Sequence, residues 1–173
     1  MPTDAPTEVP TTGATGGATG GAVPDLAGMV GTEFDPTTVL VERGQLRFFA
    51  RATGQDDPIY HDLNAAHAAG HRDLPVPPTF LFGLGLAQPD TFDWLTDLGI
   101  DLRHLLHGEQ SFTYHAMAYA GDTLTLTPTI TDAYEKKNGA LRFITRRIQV
   151  DREGTAIATL EEVIIVRDPK ARS

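Results

Sequence analysis

The chain has 173 residues and a formal net charge of −9, as expected for one ordinary domain with an acidic surface. Such a surface repels phosphate backbones, so we expect no nucleic-acid partner. The sequence contains no cysteine, which excludes disulfides, thiolate nucleophiles and cysteine-based zinc sites. An apolar run long enough to cross a bilayer is missing, as is the pattern of a secretory signal. We therefore expect a cytoplasmic protein without a membrane span.

Composition divides the chain into three segments. Residues 1–23 include the tandem repeat GATGGATGGA. This segment cannot bury enough apolar surface to offset its chain entropy, which predicts a disordered tail. Residues 24–168 are expected to form one folded domain, and residues 169–173 a short C-terminal tail.

The first half of the domain carries helical patterns. A short β-type run at residues 39–41 precedes an amphipathic stretch at 42–53, and an Ala-rich helix is predicted at 63–70. The segment TFLFGLGL at residues 79–86 is apolar almost throughout. A helix that is apolar all round must be buried on all sides. We therefore predict that its side chains, Leu81, Phe82 and Leu84 among them, lie in the core.

The second half shows the period of two that is typical of strands. Strands are predicted at residues 108–115, 123–130, 141–150 and 156–166. Asn138–Gly139 is a two-residue hairpin signal, and residues 151–154 predict a second turn. Helices followed by an antiparallel meander indicate the α+β class. A wholly apolar helix needs a curved sheet around it, so we predict a single hot-dog domain.

Two stretches of sequence carry a family resemblance. Residues 49–61, FARATGQDDPIYH, resemble the hydratase signature of MaoC-like enzymes, whose core is Asp-x-Asn-Pro-(Ile/Leu/Val)-His. The segments HGEQSF at 107–112, AGDTL at 120–124 and YEKKNGALRF at 134–143 resemble the FAS1-like N-terminal dehydratase branch. That branch includes the accessory subunits of actinobacterial (3R)-hydroxyacyl-acyl-carrier-protein dehydratases. The resemblance extends from about residue 30 to residue 166.

The chain departs from the family at the residues that carry the chemistry. Aligned on Pro58, the family's catalytic Asp falls on Gln55, its Asn on Asp57 and its catalytic His on Tyr60. Glutamine does not titrate, and tyrosine, with a reference pKa of about 10, is a poor base near neutral pH. This reading leaves Tyr60 as a substrate-binding residue.

A shifted pair offers an alternative. Asp56 and His61 keep the i, i+5 separation of the family's catalytic residues, displaced by one position. Elimination of water from a 3-hydroxyacyl thioester needs a base for the Cα proton and an acid for the hydroxyl, and Asp and His can share these roles. The shift also moves the proline relative to both groups, which changes the geometry.

Four other residues are candidate substrate contacts. Thr79 and Phe80 begin the apolar helix, where the resemblance implies backbone N–H groups that bind the thioester carbonyl. The alternative is a purely structural helix start at Pro78. His107 and Glu109 occupy alternate positions of a strand, which predicts that they share one face and line a cleft. A strand-end hydrogen-bond cluster is the other reading.

No cofactor or metal is expected. His67 and His71 have a spacing that suits a metal, but no HExxH pattern accompanies them, and a solvent-exposed helix face is the preferred reading. The Gly-rich repeat of the tail follows no strand and precedes no helix, so it is not a phosphate-binding loop.

The resemblance implies a subunit of a (3R)-3-hydroxyacyl thioester dehydratase, or of the reverse enoyl hydratase. Its substrate would be an acyl-CoA or acyl-carrier-protein thioester. This chain would shape the acyl-binding tunnel, and a MaoC-like partner would supply the acid and base. Three alternatives stay open: a homodimeric dehydratase using Asp56 and His61, a non-enzymatic acyl-thioester binding protein, and a thioesterase in which Asp57 or Glu109 activates water.

Overall fold

The computed structural model describes residues 26–87 and 91–168. The two predicted tails, 1–23 and 169–173, lie outside the described residues. Within the described part of the chain, no helix is long and apolar enough to cross a membrane.

Helices occupy the first half of the chain and long strands the second. The helices are α1 (Leu26–Met29), α2 (Arg43–Ala52), α3 (Leu63–Ala68), α4 (Phe80–Leu86) and α5 (Asp93–Asp97). Two 3-10 turns lie at Pro58–Tyr60 and Leu102–His104. The strands are β1 (Thr37–Leu40), β2 (Leu105–Tyr114), β3 (Thr123–Lys136), β4 (Leu141–Arg152) and β5 (Thr155–Arg167).

The five strands form one antiparallel sheet in the order β1-β3-β4-β5-β2. Strands β3, β4 and β5 are the predicted meander, while β2 crosses over to pair with β5 and becomes an edge strand. The β4–β5 turn is a two-residue turn in which Glu153 and Gly154 both have positive φ angles, 50° and 79°, as a type I′ hairpin requires.

The β3–β4 hairpin is longer than predicted. Lys136 pairs with Leu141, so four residues rather than two connect the strands. Lys137, Asn138 and Gly139 all have positive φ angles, and Ala140 N donates to Lys137 O at 3.1 Å. The Asn-Gly signal therefore located the turn correctly, but the adjoining lysine also adopts the left-handed conformation and lengthens it.

The core lies between α4 and the curved sheet. Phe80, Leu81 and Leu84 of α4 are buried, and they belong to the same apolar cluster as Leu124 and Leu126 of β3. The alternation of apolar residues with threonines in β3 places these leucines inward. This arrangement confirms the α+β class and the hot-dog fold predicted from the sequence.

The prediction that α4 is buried on all sides was wrong on one side. Phe82 is half-buried, and Leu86 is 44% exposed. The Phe82 ring stacks on the imidazole of His107, with 5.2 Å between ring centroids, so it lines a cavity beside β2.

We expect this difference within α4 to be measurable. Leu84→Ala should lower the free energy of unfolding by about 2–5 kcal/mol, because it empties a closed part of the core. Phe82→Ala should cost clearly less, because its ring is only partly buried and packs at the margin of the core. Urea denaturation of both variants tests this. An equal or larger loss for Phe82→Ala would place its ring in the packed core in solution.

A buried carboxylate ties the loop before β3 to the rest of the domain. The Asp122 side chain is 4% exposed and pairs with Arg72 and, at 2.8 Å, with Arg152. It also accepts a hydrogen bond from Tyr119 N at 2.9 Å. Burial alone would raise the pKa of Asp122, but the hydrogen bonds from the two arginines outweigh it, and the pKa lies below its ordinary value.

This cluster predicts part of the acid sensitivity of the fold. A carboxyl whose pKa is lowered by folding contributes stability above its unfolded pKa of about 3.9, and loses that contribution as the pH falls through the folded value. At neutral pH, Asp122→Asn should lower the free energy of unfolding by about 1.5–3 kcal/mol. The loss should shrink toward about pH 3.

Urea denaturation across this pH range measures the effect. The control is Asp101→Asn, because Asp101 pairs with Arg103 in an exposed ion pair, and water screens such pairs so that they contribute little to stability. A pH-independent loss for Asp122→Asn would mean that the carboxylate charge does not contribute.

Candidate functional site

The loop after α2 contains the residues at the family's catalytic positions. Gln55 N donates to Ala50 O at 2.8 Å, and the Gln55 side-chain oxygen accepts from Asp57 N at 3.3 Å. Asp57 caps the following 3-10 turn by accepting from Ile59 N at 3.1 Å. Both side chains therefore shape the loop, as expected of Asx-type turns.

The shifted pair, Asp56 and His61, lies in the same loop. Asp56 is exposed and His61 is half-buried. His61 Nε2 lies 2.6 Å from the backbone oxygen of Gln55. Because a carbonyl can only accept, this nitrogen carries the proton. Among the described residues, the side chains of Asp56 and His61 do not hydrogen-bond to each other. Their role as an acid/base pair stays a prediction.

Tyr60 is the residue of this loop that lines a cavity. The cavity has a volume of about 360 Å³, and its wall includes Tyr60, Pro78, Tyr114 and His115. Burial, with a smaller effect of the Asp57 carboxylate, raises the pKa of Tyr60 above its ordinary value, which makes the phenol a still poorer base. Among the described residues that form the wall there is no carboxylate.

His115 was missed by the sequence analysis. It lies just after β2, and its Nε2 is 3.0 Å from Thr159 Oγ1 on β5. Its position beside the cavity depends on the pairing of β2 with β5, which connects residues far apart in the chain. No local motif marks it, so the sequence offered no signal.

The backbone N–H groups expected to bind a thioester carbonyl already have partners. Thr79 N donates to the Tyr114 hydroxyl at 2.9 Å, and Phe80 N donates to Pro77 O at 3.2 Å. Thr79 has a φ of 68°, an outlier for a β-branched residue. A ligand oxygen at Thr79 would have to displace Tyr114, and the carbonyl-binding role stays a prediction. The helix begins at Phe80, not at Pro78.

His107 and Glu109 do not share a face. A β-bulge at Gly108 shifts the register, so that His107 pairs with Ile164 while Glu109 pairs with Val163. Adjacent residues of β5 point to opposite sides of the sheet, so these two side chains do as well. The prediction of a shared cleft-lining face was wrong for this reason. Both side chains are exposed, but only that of His107 lies at the cavity beside Phe82.

A Cβ on Gly108 would lie 2.7 Å from Ile165 Cδ1 and 3.1 Å from the Val163 carbonyl oxygen. The bulge therefore needs glycine here because the neighbouring strand approaches so closely.

A second, more apolar cavity of about 310 Å³ lies between the end of α4 and the start of β2. His107 and Phe82 line it, and a buried ion pair between Arg146 and Glu162 forms part of its wall. Arg146 Nε donates to Glu162 Oε1 at 2.6 Å, and the two side chains are only 13% and 5% exposed.

The sequence did contain a signal for this ion pair. On β4, Arg146 lies on the same inner face as Ile144 and Ile148. On β5, Glu162 lies on the same inner face as Leu160 and Ile164. A charge at an inward position of a half-buried strand is unusual, because burial of an unpaired charge is costly.

The two histidines considered as metal ligands bond elsewhere. His67 Nε2 lies 3.2 Å from Arg72 O, and His71 Nδ1 lies 3.3 Å from the Tyr119 hydroxyl. Within residues 26–87 and 91–168, no cluster of three or more potential ligands suits a metal ion.

A sequence profile described as "FAS1-like, dehydratase domain region" matches residues 28–160. The chain belongs to this family. Two of its curated relatives, both called UPF0336 proteins, match over almost their full length. The one from Clavibacter michiganensis is 37% identical over 155 residues, which covers 86% of this chain and 97% of the relative. The one from Leifsonia xyli is 38% identical over 150 residues, covering 84% and 97%.

Solved structures show the same fold as this FAS1-like domain. The C-terminally truncated HadBC (3R-hydroxyacyl-ACP dehydratase) complex from Mycobacterium tuberculosis matches with a TM-score of 0.71 and 23% identity, covering 83% of this chain and 99% of that chain. The ChsH1-ChsH2 complex from the same organism matches with a TM-score of 0.64 and 22% identity, covering 80% and 90%.

Proposed function

We propose that this chain is a subunit of a (3R)-3-hydroxyacyl thioester dehydratase, or of the reverse enoyl hydratase, acting in the cytoplasm. It shapes the acyl-binding tunnel for an acyl-CoA or acyl-carrier-protein substrate. A MaoC-like partner with an intact Asp-x-Asn-Pro-x-His motif supplies the acid and base. Membership of the FAS1-like dehydratase family supports the reaction class, and two structural neighbours are complexes by name.

The observation that carries the proposal is Tyr60. It holds the family's histidine position and faces a cavity, but burial raises its pKa further from neutral. A group that titrates so far above the working pH is a poor general base. The carboxylate position is held by Gln55, which is bonded within the loop. The fold is thus retained while the acid/base pair of the family is replaced.

The edge strand β2 supports an assembly with another chain. No strand of the described residues pairs with its outer edge, and Leu106 and Tyr114 are large exposed side chains near its two ends. An unpaired, partly apolar edge is expected to be covered by another chain. Either a MaoC-like partner or a second copy could cover it, and we propose the partner.

Co-expression with a MaoC-like chain from the same genome tests this proposal. Sedimentation should show a one-to-one complex at micromolar concentration, and the complex should hydrate enoyl-CoA faster than the partner alone. A stable homodimer that does not bind the partner would contradict the heteromer. A complex whose rate and chain-length preference equal those of the partner alone would contradict the tunnel role.

A further inference from the structure

The inner face of the sheet holds two cavities that share a wall. The apolar cavity of about 310 Å³ is bounded by Phe82, Leu105 and Ile164 among others. A smaller one of about 180 Å³ lies on the other side, bounded by Phe34, Leu126 and Ile148 among others. Trp94 and Arg146 line both cavities.

The shared wall is held on three sides. The Arg146 guanidinium lies over the Trp94 ring, 4.7 Å from its centroid, which is the geometry of a cation–π contact. Glu162 holds the same guanidinium from the neighbouring strand at 2.6 Å. The Trp94 ring packs edge-on against Phe34, with 5.3 Å between centroids. A guanidinium fixed between an indole and a carboxylate is not free to swing aside.

The larger cavity opens next to the edge strand. Its rim includes Leu86, Phe92 and Leu106, all of which are large apolar side chains that remain 44–53% exposed. Leu106 lies on β2, the edge strand at which the proposed function places the partner. An apolar cavity that opens beside the edge strand and ends at an ion pair suits a hydrocarbon chain, because desolvation of methylenes drives binding until the chain meets the wall.

We propose that Trp94 and Arg146 form a partition that limits the length of the acyl chain held by this subunit. The inference rests on the proposed function, since it concerns the acyl chain of that substrate. Chains that end before the partition are buried in the larger cavity, and longer chains leave their terminal carbons unburied or bent back. The partition keeps the acyl chain from entering the smaller cavity.

Calorimetry tests the partition by measuring the affinity of the full chain for straight-chain acyl-CoA thioesters, alone and with its MaoC-like partner. The series runs from butyryl-CoA through octanoyl-CoA and dodecanoyl-CoA to hexadecanoyl-CoA. Each further methylene that enters the cavity should tighten binding by roughly fourfold. For the unaltered chain this gain should stop at an intermediate length. In Trp94→Ala the two cavities merge, and the gain should continue to longer chains.

Two variants serve as controls. Phe92→Ala removes an aromatic ring from the rim, so it should weaken binding of all lengths alike without moving the preferred length. Trp94→Phe keeps a ring in the wall and should keep the unaltered length limit. Should Trp94→Ala fail to fold, Arg146→Ala combined with Glu162→Leu shortens the wall without leaving a buried charge, and should also move the limit.

The wall also provides its own spectroscopic probe, because Trp94 is the only tryptophan of the sequence. Its emission should change when octanoyl-CoA or dodecanoyl-CoA binds and stay unchanged with butyryl-CoA. If affinity rises steadily through hexadecanoyl-CoA, or if Trp94→Ala and Phe92→Ala give the same length profile, the partition is wrong and the proposed function stands. If no thioester of any length binds with or without the partner, both are wrong.

Discussion

Purified alone, the chain is expected to hydrate crotonyl-CoA at least about 10²–10⁴ times more slowly than a family member with an intact Asp-x-Asn-Pro-x-His motif, because each positioned acid or base is worth a factor of that order. Gln55 cannot exchange a proton, and the pKa of Tyr60 is raised by burial. Any residual rate would come from substrate binding and orientation.

Three variants, each lacking one histidine or aspartate, show whether another side chain of this subunit acts as the acid or base. Asp56→Asn and His61→Ala remove the shifted pair, and His115→Ala removes the imidazole beside Tyr60. We expect all three to leave the low rate of the isolated chain unchanged. Turnover of the isolated chain at enzymatic rates, abolished by Asp56→Asn or His61→Ala while the fold survives, would instead identify the shifted pair as the active site.

The second large effect concerns stability. Arg146→Met should lower the free energy of unfolding by about 3–5 kcal/mol, because it leaves the Glu162 carboxylate buried without its partner. Adding Glu162→Leu should recover most of that loss, because a buried ion pair replaced by apolar side chains of similar volume is often neutral. Urea denaturation of the single and double variants measures both steps.

The chain contains a matched control one residue away. Arg147 pairs with Glu161 across the same two strands, but on the outer face, where the two side chains are 53% and 42% exposed. Arg147→Met should therefore cost only about 0–1 kcal/mol. Similar losses for Arg146→Met and Arg147→Met would show that the inner pair is solvated in solution.

The fold could be predicted where one local pattern determined one structure. The alternation in β3 placed Leu124 and Leu126 inward, and the apolar segment at residues 79–86 gave the central helix. The turn at Glu153–Gly154 also follows from the local sequence, because its second residue adopts a positive φ without strain.

Other features depend on contacts between distant segments. The bulge at Gly108 separates His107 from Glu109, although a glycine within a strand pattern is a recognised sign of a bulge. Thr79 and the Tyr114 hydroxyl are 35 positions apart in the chain. Such a contact depends on how α4 packs against the edge strand, which periodicity does not determine.

The resemblance identified the residues that align with the family's catalytic positions, but it did not predict what surrounds them. Alignment on Pro58 placed Tyr60 at the family's histidine position, and the structure shows that its side chain lines a cavity. The loop bonds of Gln55, Asp57 and His61 could not be read from the sequence. Polar residues in a turn serve equally well as caps or as catalytic groups until their hydrogen-bond partners are known.

The division of labour between two chains is tested most directly by substituting each chain of the reconstituted complex in turn and measuring crotonyl-CoA hydration. Replacing the Asp and His of the partner's motif should lower the rate by about 10²–10⁴ for each group. Asp56→Asn combined with His61→Ala in this chain should leave the rate of the complex largely unchanged. The opposite pattern, in which the complex survives loss of the partner's pair but not of Asp56 and His61, would contradict the account.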